Sequence, residues 1–136
     1  MKKKRWQQRQ IFLINADIFK VDVVIAVDST EADAVKWMKK NAHKRLHEQL
    51  AEKFKGWDED CKGDCEGRMF ETGGGFFVFI RSNESWVKTF GTLVHEMTHV
   101  THYLLRNRRM PLSEDTEETY AYLIEYLMSE AARKML

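Results

Sequence analysis

The spacing of apolar residues changes along the chain, and each change marks a predicted element. Apolar and other residues alternate from Val21 to Val27, directly after the segment IFLI, so residues 10–28 are predicted to form one or two strands. Thr30 and Asp33 then resemble a capping box, which predicts a helix that Gly56 ends. The apolar positions of this helix recur every three or four residues, at Val35, Met38, Ala42, Leu46, Leu50 and Phe54.

The second half of the chain predicts a hairpin followed by two helices. Residues 57–67 are charged and contain glycines, which indicates a loop, and RMFET, GGG and FFVFIR then read as strand, turn and strand. Residues 85–108 and 115–135 have helical periodicity, and Pro111, the chain's single proline, lies between them. The order strands, helix, hairpin, helix, helix predicts an α+β fold with a small mixed or antiparallel sheet and three helices.

Composition and charge restrict the classes of protein that this chain can belong to. Its 136 residues, 43% of them hydrophobic, suffice for one domain with one core. The 22 basic and 21 acidic residues nearly cancel, so no general affinity for nucleic acid is expected, and residues 1–9 are interpreted as a flexible basic N-terminus. Asp17, Lys20 and Asp22 interrupt the apolar segment after it, which favours a cytoplasmic protein without a signal peptide or membrane span.

The segment TLVHEMTHVTHYLL carries the candidate chemistry. On a helix, His95 and His99 share one face with His102 and Arg106, while the apolar side chains lie opposite, at Phe90, Leu93, Val94, Met97, Leu104 and Leu105. A spacing of four residues brings the imidazoles of His95 and His99 close enough to bind one metal ion. Glu96 is rotated by one residue, so it can flank that metal and act on a bound water. The pattern H-E-x-x-H predicts a Zn²⁺ site with Glu96 as the catalytic base.

Two other pairs of potential metal ligands are interpreted as residues that bind no metal. His43 and His47 in HKRLH have the same spacing, but Lys44 takes the place of the glutamate, which favours a solvated helix face. Cys61 and Cys65 in CKGDC are too few to complete a structural zinc shell and are interpreted as a reduced pair without assigned function.

Together with the helix after Pro111, the motif resembles the gluzincin metallopeptidases, in which a glutamate on a second helix is the third zinc ligand. The similarity is greater to small phage-type zinc peptidases and the ImmA/IrrE group, whose second helix carries E-x-x-A-Y or E-x-x-A-N. Here that submotif begins at Glu118, which the resemblance implies is the third ligand, and the small Ala121 is expected to let the two helices approach. The resemblance covers residues 76–130 and implies a zincin-like fold.

Several assignments on the second helix stay open. Glu117 is an alternative third ligand, because the helical wheel puts it nearer the apolar arc. Tyr122 stands where thermolysin-type enzymes have an aspartate that orients the first histidine. A role without metal is also available to Glu118, as the N3 residue of a capping box that begins at Asp115.

Further residues are candidates for contacts with substrate or with the transition state. His102 lies too far along the helix from His99 to share its metal easily, so a hydrogen-bonding or structural role is expected for it. The donors considered for the oxyanion are Tyr103, Tyr120, Tyr122, His102 and Arg106. The segment GGGFFVFIR either pairs with an extended substrate or is buried in the core, with Phe77 and Phe79 inside.

The combined expectation is a zinc-dependent metalloendopeptidase that acts on a peptide or protein substrate. One alternative is a zinc-binding interaction domain without turnover, in which a further protein ligand closes the metal site. The other is a nucleic-acid-associated protease similar to the SprT group, in which a later histidine completes the site. No histidine follows His102, which disfavours that alternative.

Overall fold

The computed structural model describes residues 10–42, 48–49, 66–72, 75–82 and 85–136. These residues form an α+β fold in which a four-stranded mixed sheet packs against three helices. The strands are β1 (Gln10–Ala16), β2 (Val21–Val27), β3 (Gly67–Thr72) and β4 (Gly75–Ile80). The helices are α1 (Glu31–Asn41), α2 (Trp86–Asn107) and α3 (Glu117–Met135). The predicted order of strands, helix, hairpin, helix, helix is therefore confirmed.

The sheet order is β1-β2-β4-β3, which puts β4 inside the sheet and β3 at its edge among the described strands. β2 pairs with β4 in parallel, whereas β1 with β2 and β3 with β4 are antiparallel. All six residues of β4 are buried, as expected for a strand that is covered on both faces. Of the two alternatives for GGGFFVFIR, pairing with a substrate is wrong for β4, because both edges of this strand are already hydrogen-bonded to neighbouring strands.

Side chains of β2 and β4 alternate between two apolar clusters, one on each face of the sheet. On one face, Val24, Ala26, Phe77 and Phe79 pack with Ala34 and Met38 of α1. On the other face, the sheet packs against α2 and α3 through side chains that include Ile25, Val78, Met97 and Leu127. Phe77 and Phe79 thus have the core role that was the alternative to substrate pairing. The helix α2 lies over β3 and β4, and α3 lies between α2 and the β1 edge.

The helix predictions hold in most of their bounds. Thr30 caps α1 by accepting a hydrogen bond from the Asp33 backbone N–H at 3.2 Å, as the capping pattern indicated. This helix ends at Asn41, however, because Ala42 is extended, with φ of −115° and ψ of 163°. The rest of the predicted stretch, with Leu46, Leu50 and Phe54, lies outside the described residues, as does most of the predicted loop after it.

Val94 lies at the margin of the apolar arc of α2 and is 40% exposed. The other five positions of that arc pack in or against the core as predicted, at Phe90, Leu93, Met97, Leu104 and Leu105. Within the described ranges, no helix combines the length and the apolar content that crossing a membrane requires.

Candidate metal centre

The helix α2 carries the candidate ligands on the face that the sheet leaves exposed. Its first turn is capped by the Ser85 hydroxyl, which accepts a hydrogen bond from the Lys88 N–H at 3.4 Å. Leu93, Met97 and Val100 are buried toward the sheet. His95 and His99 lie on the opposite side, where both side chains are exposed. Burial of the apolar stripe therefore fixes the direction in which the two imidazoles project.

The rings of His95 and His99 converge on one point. Their Nε2 atoms are 3.2 Å apart, and the ring planes meet at 78° with centroids 4.8 Å apart. Two imidazole nitrogens that bind one zinc ion at about 2.0–2.1 Å and at the tetrahedral angle lie about 3.3 Å from each other. The observed separation thus matches two corners of a zinc tetrahedron, and the donor chemistry of the pair fits the metal that the motif predicts.

Glu96 lies beside this pair but is buried, at 6% exposure. Burial raises the pKa of the Glu96 carboxyl above its usual value, while the positive charges of His95, His99 and Arg68 partly offset the rise. A carboxyl with a raised pKa is a better proton acceptor once ionised, which is what a general base near neutral pH requires. The environment of Glu96 is therefore suited to the role that the motif predicts.

Gly67, the first residue of β3, makes this arrangement possible. A Cβ atom at Gly67 would lie 2.9 Å from Thr92 Cγ2 and 3.3 Å from Glu96 Cγ. The backbone of β3 thus approaches α2 more closely at this point than a larger residue would permit. As a result, the start of the edge strand lies directly against the carboxylate-bearing turn of α2.

A cleft of about 270 Å³ opens between β3 and α2 at the same place. Glu96 and His99 line it from the helix, and it is completed by Gly67, Arg68, Met69 and Tyr103. The predicted candidate Tyr103 is therefore placed at the site, and Arg106 lies over its ring at 5.6 Å. Sequence reasoning missed Arg68 and Gly67, because a strand pattern does not show which helix a strand will border.

Three of the other candidate donors, His102, Tyr120 and Tyr122, lie elsewhere. The ring of His102 packs against the ring of Tyr120, and the Tyr120 hydroxyl donates to the Met110 carbonyl at 2.7 Å. Tyr122 is 65% exposed and lines a different cavity, together with Ile18 and Phe19. Among the oxyanion donors considered, Tyr103 is thus the one that lines the cleft beside His99 and Glu96.

The carboxylates at the start of α3 are not gathered around the histidine pair. Glu117 and Glu118 are both exposed, and no group of three His, Cys, Asp or Glu side chains within the described ranges is arranged to hold a metal ion. Ala121 is also exposed, so the prediction that it lies at the contact between the helices is wrong. Two imidazoles with ligand spacing, rather than a complete ligand set, are what the folded chain brings together.

The predicted capping box at this helix is wrong as well. The N-cap of α3 is Thr116 and not Asp115, so Glu118 occupies the second helical position instead of the third. The Thr116 hydroxyl donates to the Pro111 carbonyl at 2.7 Å and accepts from the Ser113 N–H at 2.9 Å. These bonds hold the preceding turn, and Glu118 does not reach back as a capping residue in this arrangement.

The remaining ligand pairs from the sequence, His43 with His47 and Cys61 with Cys65, lie outside the described residues. Comparison with known proteins returned no matching family model, no matching curated protein and no matching solved structure. The functional assignment therefore rests on the residues and geometry of the chain itself.

Proposed function

We propose that this protein is a zinc-dependent metallopeptidase of the gluzincin type, with a zincin-like fold. The observation that carries the proposal is the 3.2 Å separation of His95 Nε2 and His99 Nε2, next to a buried Glu96 that opens onto a cleft. The two proposed ligands, His95 and His99, and the proposed base, Glu96, therefore lie on about one turn of α2, next to the edge strand β3. A hydrogen-bonded pair of surface histidines would need neither the buried carboxylate nor the cleft.

The proposed roles follow from the side chains. His95 and His99 would hold zinc through their Nε2 atoms, and the resemblance gives Glu118 of α3 as the third ligand. When bound there, zinc would supply a water of lowered pKa and would polarise the substrate carbonyl. Glu96 accepts the proton of the attacking water and passes it to the nitrogen of the departing amine. Tyr103 is the candidate donor to the developing oxyanion, because it lines the cleft beside His99.

The proposed substrate is an extended peptide or protein segment. β3 is the edge strand of the described sheet and borders the cleft, which is the position at which an extended peptide would add by β-augmentation. A peptide added there would run past Arg68 and Met69 toward Glu96 and His99. In this proposal the strand that pairs with substrate is β3, the first strand of the hairpin, and not β4 as considered from the sequence.

The proposal is tested by metal content and by cleavage. We expect about one zinc per wild-type chain by mass spectrometry and loss of that zinc in His99→Ala. A peptide library should be cleaved by the wild type and not by Glu96→Gln, which keeps both ligands. A wild-type chain that takes up no zinc during refolding in its presence would overturn the metal site, and equal cleavage by Glu96→Gln would overturn the mechanism.

A further inference from the structure

We infer that Arg68 selects peptide substrates that carry an acidic side chain, aspartate or glutamate, at the position paired with it; this inference rests on the proposed function. Arg68 is the second residue of β3 and lines the cleft together with Glu96 and His99. The proposed peptide adds to this edge strand, so each of its residues lies beside a residue of β3. The side chains of β3 therefore influence which peptides fit the cleft.

The pairing of β3 with β4 shows toward which face of the sheet the Arg68 side chain starts. Arg68 pairs with Phe79, which packs in the apolar cluster that includes residues of α1. The neighbouring Gly67 is turned the other way, because a Cβ atom there would meet Thr92 and Glu96 of α2. A peptide residue paired with Arg68 would share its face, with the two Cβ atoms about 4.5–5.5 Å apart. An aspartate or glutamate at that position is therefore within reach of the guanidinium.

The charge of Arg68 is not used by the described part of the fold. Arg68 is exposed, and within the described ranges its guanidinium makes no hydrogen bond or ion pair. The two carboxylates nearest to it along the chain are instead engaged by α2. Glu66 accepts a hydrogen bond from the Thr92 hydroxyl at 3.4 Å, and Glu71 accepts one from the Asn107 amide at 2.8 Å. The donors of Arg68 are thus available to a carboxylate that a peptide brings to the strand.

The positive charge around the cleft also favours an acidic peptide. Burial raises the pKa of the Glu96 carboxyl, and Arg68 is one of the positive groups that partly offset this rise, so its charge acts across the cleft. A second guanidinium, that of Arg106, lies 5.6 Å from the ring centre of Tyr103, which lines the cleft. An anionic side chain is attracted by both groups, whereas a lysine or arginine paired with Arg68 would be repelled.

The C-terminal carboxylate of a peptide would offer Arg68 the same chemistry as an acidic side chain. β3 extends on both sides of Arg68, from Gly67 to Thr72, so a peptide that follows the strand can continue in both directions. The carboxylate is therefore assigned to a side chain within the peptide. Peptides with amidated C-termini separate the two sources, because the varied side chain is then the carboxylate under comparison.

The test uses pairs of amidated peptides that differ only by glutamate or glutamine at one position, which is scanned along a peptide that the wild type cleaves. At one position, we expect kcat/KM for the glutamate peptide to exceed that for the glutamine peptide at least about threefold. The ratio within one enzyme cancels any effect of a variant on the chemical step that both peptides share.

Three variants and a binding measurement locate the preference. Arg68→Glu should reverse the ratio, and Arg68→Lys, which keeps the charge, should retain most of it. Arg109→Gln removes an exposed charge that is not among the described residues lining the cleft, so it should leave the ratio unchanged. Fluorescence anisotropy with labelled peptides and Glu96→Gln should show the same preference in affinity without turnover.

Equal cleavage of both peptides at every position would overturn the inference, and so would an Arg68→Glu variant with the preference of the wild type. Both results leave the proposed function standing, because the wild type cleaves peptides in each. Binding that prefers glutamate and depends on Arg68, without cleavage by the wild type, would support the role of Arg68 and remove the peptidase assignment. A wild type that neither cleaves nor binds any of the peptides would remove both.

Discussion

His102 packs its ring against that of Tyr120, at 67° between the ring planes, so this histidine joins α2 to α3. We therefore predict that His102→Ala keeps its zinc while losing stability. The loss should be about 0.5–1.5 kcal/mol, the usual contribution of an aromatic pair. Denaturant unfolding and metal analysis measure the two quantities.

The matched control for His102→Ala is His99→Ala, which should show the opposite result. It removes an exposed side chain, so its effect on the stability of the zinc-free protein should be small, whereas its zinc content should fall to near zero. If His102→Ala were the variant that lost zinc, the division between a packing histidine and two ligand histidines would be wrong.

Glu96→Gln should separate catalysis from metal binding. The amide has nearly the shape of the carboxylate but cannot accept the proton, so the cleavage rate should fall by roughly 10²–10⁴-fold. Zinc content should remain near one per chain, since His95 and His99 are unchanged. Steady-state cleavage of a library-derived peptide, with zinc measured on the same samples, provides the comparison. A rate within threefold of wild type would show that another group serves as the base.

Burial of Glu96 also predicts a pH dependence of stability in the presence of a chelator. Its pKa is higher in the folded than in the unfolded chain, so between the two values the folded state binds more protons. The contribution of Glu96 to stability is therefore greatest below its unfolded pKa and decreases as the pH rises through its folded pKa. A glutamine at position 96 is uncharged at every pH, so it does not have the cost of burying an ionised carboxylate.

The melting temperature of Glu96→Gln relative to wild type should consequently be higher at pH 7.5 than at pH 4. Differential scanning calorimetry at both pH values, with chelator present throughout, tests the sign of this change in the melting-temperature difference. A difference that is independent of pH, or larger at pH 4, would contradict a burial-dominated pKa for this carboxyl.

The approach of β3 to α2 predicts opposite effects for two glycine substitutions. At Gly67, an added methyl group would be 2.9 Å from Thr92 Cγ2 and 3.2 Å from the Phe79 carbonyl oxygen, so Gly67→Ala should cost about 1–3 kcal/mol. Gly91 is inside α2, and a methyl group added there would meet nothing within 4 Å, so Gly91→Ala should stabilise by about 0.5–1 kcal/mol. Urea unfolding of both variants measures these changes.

A Gly67→Ala variant as stable as wild type would mean that the strand can withdraw from the helix. In that case, the cleft beside Glu96 would not depend on the close approach at Gly67. Equal destabilisation by both substitutions would point instead to a general sensitivity of α2, because an added methyl group at Gly91 has no close neighbour among the described residues.

The sequence by itself determined the features that depend on spacing within one element. Strand alternation and helical period predicted the α+β order of elements and nearly the bounds of α2 and α3, since these periods follow from backbone geometry alone. The same local geometry placed His95 and His99 on one face and turned Glu96 away from it. A pattern that spans only one turn of helix needs no other part of the chain to bring it together.

Only the tertiary structure decided how the elements lie against each other. The sheet order put β4 inside and β3 at the edge of the described sheet, so Gly67 and Arg68 line the cleft beside Glu96. The packing of α3 against α2 left Glu117 and Glu118 exposed and not gathered around His95 and His99 within the described residues. These relations depend on packing between segments that are distant in sequence. The periodicity within one element does not determine how far that element is shifted along its neighbour.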